Sequence, residues 1–194
     1  MWYNNHMQDY ISFQTFSDVL NASTLALFAV NIIILIAYFT SNKFKNFISG
    51  FSYQFWVGLS ALLLLGGIVG ANIYDVVYGD APCLFCWYQR IAIYPMFIIA
   101  VVEMIKKTRA AHVFMSVLAT ATVLLAGYHY SYHFRRYVLD QALSMPCSPN
   151  PLVAGCEQAK VVSFGFATMP MMSLIVGIAV LTMVYFMYKK TNSK

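Results

Sequence analysis

The sequence predicts an all-α polytopic membrane protein with its N-terminus outside and its C-terminus inside. Three observations predict it. Of 194 residues, 60% are apolar or aromatic and only 10% are charged, where a soluble domain carries about 25%. Five apolar stretches approach the roughly 20 residues that a helix needs to cross a bilayer core of about 30 Å. Lys and Arg gather in alternate connections, as short cytoplasmic loops do. The same composition excludes a disordered chain, a collagen-like repeat and a disulfide-stapled miniprotein. A net charge of +5 would suit nucleic acid, but the charges flank apolar spans. The membrane is the expected partner, and nucleic acid is not.

The first span, Ala22 to Thr40, lacks the basic leader and the small-residue cleavage site of a secretory signal, so it reads as a retained helix. Aromatics at Trp2, Tyr3, Tyr10, Phe13 and Phe16 place the preceding tail along the outer interface, a plain disordered tail being the alternative. The second span, Phe55 to Ile73, contains Gly66 and Gly70, a Gly-x-x-x-Gly pair that lets another helix approach closely. The third, Cys86 to Ile105, the fourth, Val113 to Tyr130, and the fifth, Phe166 to Tyr188, complete the set.

Orientation follows from the cations. The connection after the first span holds Lys43 and Lys45, the turn after the third holds Lys106, Lys107 and Arg109, and the C-terminal tail holds Lys189, Lys190 and Lys194. The N-terminal tail and the connection from Tyr74 to Phe85 carry Asp9, Asp18, Asp75 and Asp80 without a basic residue. The long loop from Ser131 to Gly165 is mixed, with Arg135, Arg136 and Lys160 against Asp140 and Glu157.

All four cysteines then fall on the outer side, where disulfides form and persist. Cys83 and Cys86 form a C-x-x-C at the outer mouth of the third span, and Cys147 and Cys156 lie in the long outer loop beside Pro146, Pro149 and Pro151. Cys86 opens a helix, where unpaired N–H groups favour a thiolate. Arg90 stands one turn deeper on the same face. A permanent cation inside a membrane is costly and usually functional, although an arginine at a span end also snorkels to headgroups. Four thiols could ligate zinc, but the wide spacing of the second pair and the oxidising compartment argue against it. Two inert structural disulfides and two exchanging disulfides both remain open. His129 and His133, at i and i+4, could chelate a metal, but no Glu stands between them as in a zinc protease.

The run Pro82-Cys83-Leu84-Phe85-Cys86-Trp87-Tyr88-Gln89-Arg90-Ile91 and the following Tyr94-Pro95 resemble the signature of the DsbB family of disulfide-generating membrane proteins, in particular its BdbC-like branch. Tyr128-His129-Tyr130, Pro146-Cys147, Phe164-Gly165-Phe166 and Met169-Pro170 extend the match in order along the chain. The resemblance implies a four-helix bundle, residues 51–190 including the outer loop 131–165. Ahead of it stands a further unit, residues 1–50, with the outer tail, an extra transmembrane helix and a cytoplasmic connection; residues 191–194 form a cytoplasmic tail. It implies a bacterial cytoplasmic (inner) membrane enzyme that reoxidises a DsbA-like thioredoxin-fold oxidase and passes electrons to a quinone, ubiquinone or menaquinone. By motif position, Cys83 and Cys86 are the quinone-coupled pair, Cys147 and Cys156 the pair that meets the partner, and Arg90 and His129 the quinone contacts.

The sequence departs from the family in its extra N-terminal span, in the closeness of Cys147 to Cys156, and in His133, where the best-known members carry Gln. Vitamin K epoxide reductases also join a bundle, a quinone and four cysteines. There the loop pair precedes the C-x-x-C; here it follows.

Overall fold

In the computed structural model the described residues are 2–79, 82–141, 156, 159 and 162–192, residues 2–11 by backbone alone. Cys147, the loop prolines, Asp80, Glu157 and Lys160 lie outside them. The helices are α1 (Trp2–Thr40), α2 (Asn42–Gly50), α3 (Tyr53–Val76), α4 (Leu84–Lys106), α5 (Ala111–Tyr137) and α6 (Met169–Asn192). Five are long and apolar enough to cross a membrane, the first over Ser12–Thr40. All five expected spans are present. Four helices extend past the stretch that announced them, because polar residues continue a helix wherever its backbone bonds are already formed. The fifth starts at Met169 instead of Phe166, since residues 163–167 form a turn closed by a Ser163–Ala167 bridge.

The largest extension is at the N-terminus. The tail continues as the same helix as the span, so that α1 has 39 residues and reaches about 58 Å at 1.5 Å per residue. Phe13 packs edge-on against Tyr74 and Tyr78 of the α3 end, with ring centroids 5.7 and 4.9 Å apart. In the connections between α1 and α3, Ser41 caps α2 by accepting from the Phe44 N–H, and Ser52 caps α3 by accepting from the Phe55 N–H. This satisfies donors that helix starts leave open. The turn between α4 and α5 is organised by buried Glu103, whose carboxylate accepts from the Thr108 hydroxyl and the Arg109 N–H, each at 2.6 Å.

Helices α3, α4, α5 and α6 pack in a closed ring, and α1 lies against α6 outside it. The shared core contains Val57 and Leu64 of α3, Met96 and Ala100 of α4, Met115 and Ala119 of α5, and Val180 and Met187 of α6, all 0% exposed. Polar bonds fasten the extra helix: Asn21 Nδ2 donates to Ser163 Oγ at 2.9 Å, and Thr182 Oγ1 of α6 donates to Asn31 Oδ1 at 3.3 Å. Such side-chain bonds matter where lipid supplies no hydrophobic drive between helices.

The Gly-x-x-x-Gly expectation holds at one residue of the two. A Cβ on Gly70 would meet Leu20 of α1 at 3.3 Å, whereas Gly66 has nothing within 4 Å. The tightest approach is elsewhere: a Cβ on Gly177 of α6 would stand 2.9 Å from Val123 Cγ2 of α5. A β-branched side chain on a helix has little rotamer freedom with which to retreat. Gly177→Ala is therefore expected to destabilise the bundle by about 1–3 kcal/mol of overpacking, outweighing about 1 kcal/mol of improved helix propensity. Thermal unfolding in detergent measures it; an unchanged or higher midpoint would show that α5 and α6 separate freely.

Candidate active site

Cys83 is the N-cap of α4, with extended backbone at φ −70° and ψ 168°. Its sulfur accepts from the Cys86 N–H at 3.4 Å and lies 2.9 Å from the Cys86 sulfur. The C-x-x-C spacing is what achieves this, since the N-cap side chain naturally meets the third helical residue. Both are free thiols, whereas Cys156 is disulfide-bonded.

Of the two sulfurs, Cys83 is the one that accepts the helix-end N–H, from Cys86 itself. The Cys86 thiol is hydrogen-bonded to the Cys83 sulfur and, against the opposing effect of burial, with further help from His129, lowers the Cys83 pKa from 9.0 to about 4. The physical reason is register: the N-cap sulfur receives the helix-end donor, and Cys86 is itself that donor. A thiol with lowered pKa is ionised above it, so the thiolate ultraviolet absorbance of the reduced protein is expected to persist from neutral pH to about 5 and to fall by half at about pH 4. Loss of that absorbance near pH 8 to 9, the ordinary thiol range, would place the charge elsewhere.

Cys83, 7% exposed, and Cys156, 1% exposed, share one buried cluster with Leu84, Phe85, Cys86 and Tyr132. The loop cysteine is thus brought to the mouth of α4. His129 of α5 is buried there too. Its Nδ1 pairs with Gln89 Nε2 at 3.2 Å and its Nε2 with the Cys156 carbonyl at 3.2 Å. His133, one turn on, reaches the same carbonyl through Nε2 at 2.9 Å. A ligand atom of each of Cys83, Cys86 and His129 lies within 4.8 Å of the others, a soft donor set on paper. The two sulfurs are, however, 2.9 Å apart, closer than the roughly 3.8 Å that Zn–S bonds of about 2.3 Å impose in a tetrahedron, and both His129 nitrogens are engaged. Sulfur–sulfur exchange suits the arrangement better.

Arg90 reaches toward α3 from one turn beyond Cys86, with which its charge also interacts. It forms a bidentate ion pair with Asp75, Nη1 on Oδ2 and Nη2 on Oδ1, the latter at 2.9 Å, and Nη2 also reaches the Ala71 carbonyl at 3.4 Å. Its guanidinium carbon lies 5.4 Å from the centre of the Trp87 ring, a cation–π contact. Asp75 and Gln89 were not singled out from the sequence. The available signal was a carboxylate and an amide at span ends or inside spans, both expensive there unless partnered.

A family model described as disulfide bond formation protein DsbB matches residues 53–187, more than half of the chain. The chain belongs to the DsbB family. It is 30% identical over 109 residues to the SPbeta prophage-derived disulfide bond formation protein B of Bacillus subtilis strain 168, covering 56% of this chain and 69% of that relative. It is 26% identical over 133 residues to the disulfide bond formation protein C of the same organism, covering 68% and 87%. A probable disulfide formation protein of Oceanobacillus iheyensis is 30% identical over 106 residues, covering 55% and 70%. No solved structure matches the chain. The family implies a disulfide-generating oxidoreductase, and the matched region is the α3–α6 ring with the C-x-x-C at one end. Helix α1 lies ahead of it.

Proposed function

We propose that this DsbB-family protein reoxidises a DsbA-like thioredoxin-fold dithiol oxidase outside the bacterial cytoplasmic membrane and passes the electron pair to a membrane quinone, ubiquinone or menaquinone. The N-out, C-in orientation read from the cations puts the α4 mouth on the outer side. The observation that carries the reading is the burial of Cys156 against Cys83 at that mouth.

In this scheme the partner's thiolate attacks Cys147 of a Cys147–Cys156 disulfide, forming a mixed disulfide and releasing Cys156 as thiolate; the partner's second thiol resolves it and leaves oxidised. Cys156 then attacks Cys83 Sγ of the Cys83–Cys86 disulfide. A Cys156–Cys83 bond forms, the Cys83–Cys86 bond breaks, and Cys86 leaves as thiolate. Cys147 displaces Cys83 from Cys156 and restores the loop disulfide, leaving Cys83 and Cys86 reduced by two electrons.

The donor set fits a quinone. Arg90 is held at the outer end of α4, and its Nε and one hydrogen of Nη1 have no partner among the described residues. A quinone, when bound, supplies a lipid-soluble two-electron acceptor. Arg90 would hold its oxygen and stabilise negative charge there, and His129, once its Nε2–H is released from the Cys156 carbonyl, would be a second donor.

The test is to purify the protein with quinone and follow quinone absorbance while adding a reduced thioredoxin-fold protein. The expected result is catalytic quinone reduction with one partner disulfide formed per quinone consumed. No quinone reduction, with all four cysteines remaining oxidised in the presence of reduced partner, would leave structural disulfides as the answer.

A further inference from the structure

Helix α5 presents three residues at successive turns to the outer loop. His129 and His133 direct Nε2 at the single carbonyl oxygen of Cys156, at 3.2 and 2.9 Å, and the Tyr137 hydroxyl accepts from the Ala159 N–H at 2.8 Å. Residues at i, i+4 and i+8 lie along one helix face. A carbonyl only accepts, so both Nε2 atoms carry the proton and both lone pairs of that oxygen are used. His129 is 1% exposed, His133 4% and Cys156 1%, so these bonds form away from water, where breaking one leaves a polar group without compensation. The rings support one another: the two imidazoles are 4.7 Å apart, and Tyr137 meets His133 edge-on at 6.0 Å. The sulfur of the residue so held packs beside Cys83.

We propose that the His129–His133–Tyr137 face of α5 is a docking rail that seats loop residue Cys156 against Cys83, and that His133 is a positioning residue for exchange between the two cysteine pairs. This deepens the relay proposed above and rests on it for its purpose, but the geometry it asserts is independent of quinone and of the partner. The role differs from a quinone contact: His133 acts through the loop backbone, and its chemistry requirement is one N–H donor reaching one carbonyl.

The test uses the full chain carrying Cys86→Ser and Cys147→Ser, which leaves Cys83 and Cys156 as the two thiols. Diamide joins them, taking up the two electrons and two protons released, and the rate of Cys83–Cys156 disulfide formation is read by peptide mapping. Adding His133→Ala is expected to slow the reaction about tenfold, the effect of losing one buried hydrogen bond. His133→Gln, which keeps an N–H donor, is expected to stay within about threefold of the parent, and Tyr137→Phe, which keeps the ring, to slow it about threefold. Thermal unfolding of each variant separates seating from global stability. Joining at the parent rate in His133→Ala, or equal slowing in His133→Ala and His133→Gln, would overturn the rail. Normal joining with no quinone reduction in the intact protein would instead overturn the quinone relay alone.

Discussion

Cys86→Ser is expected to abolish turnover, lowering quinone reduction by more than about a thousandfold, the scale on which loss of a covalent nucleophile acts. The loss follows from the pairing at the α4 mouth, where the Cys83 and Cys86 sulfurs touch: without Cys86 no helix-mouth disulfide can exist to receive electrons. The variant should also accumulate a product. The Cys83 thiolate, left alone beside Cys156, attacks the loop disulfide at Cys156, forming Cys83–Cys156 and releasing Cys147 as a thiol. Non-reducing peptide mapping should recover that cross-link and alkylation should mark Cys147. Turnover at the wild-type rate would remove Cys86 from the pathway, and a free Cys83 thiol in the mapped protein would separate the loop from the helix mouth.

The second large effect concerns Arg90. Arg90→Ala is expected to raise the apparent KM for quinone about 10- to 100-fold, corresponding to one lost charge-assisted hydrogen bond, with kcat changed only a few-fold. A collapse of kcat at unchanged KM would instead assign Arg90 to the chemistry of the sulfurs. The ion pair with Asp75 adds a consequence for stability. Removing the guanidinium leaves a carboxylate at the membrane boundary facing an empty partner position, so Arg90→Ala should unfold at a lower temperature than Arg90→Ala combined with Asp75→Asn. The expected recovery is about 1–2 kcal/mol, discounted because Asp75 is partly exposed. Additive effects of the two substitutions would show that the carboxylate and the guanidinium do not depend on one another.

Much of this was legible before any coordinates, for reasons that differ by residue. The five spans follow from the cost of an open backbone in lipid, which depends on composition over a window and not on neighbours. Cys83 and Cys86 are legible because the N-cap and the third helical residue are three apart in sequence, so their sulfur contact is a local object. Arg90 is legible as an expensive cation in a span. What it faces is not: Asp75 is 15 residues away on another helix, and on its own it counts as one more acidic residue at an outer connection. His133 could be seen only as one half of an i, i+4 pair with His129. That the pair converges on a backbone carbonyl 23 residues further along has no side-chain signature, because every residue carries a carbonyl.

The sequence by itself determined that this chain has five helices able to cross a membrane, that Cys83 and Cys86 sit at the start of one of them, and that a cation stands one turn further on. These are properties of windows a helical turn or a bilayer wide, where apolar transfer and helix geometry act on contiguous residues. The tertiary structure alone decided which residue the guanidinium pairs with, how Asn21 and Asn31 fasten the extra helix, and that two histidines of α5 meet the Cys156 carbonyl. Those outcomes depend on which buried polar groups can reach one another across helices. A buried donor must find a partner wherever packing brings one within hydrogen-bond distance, and that distance is set by the whole bundle at once.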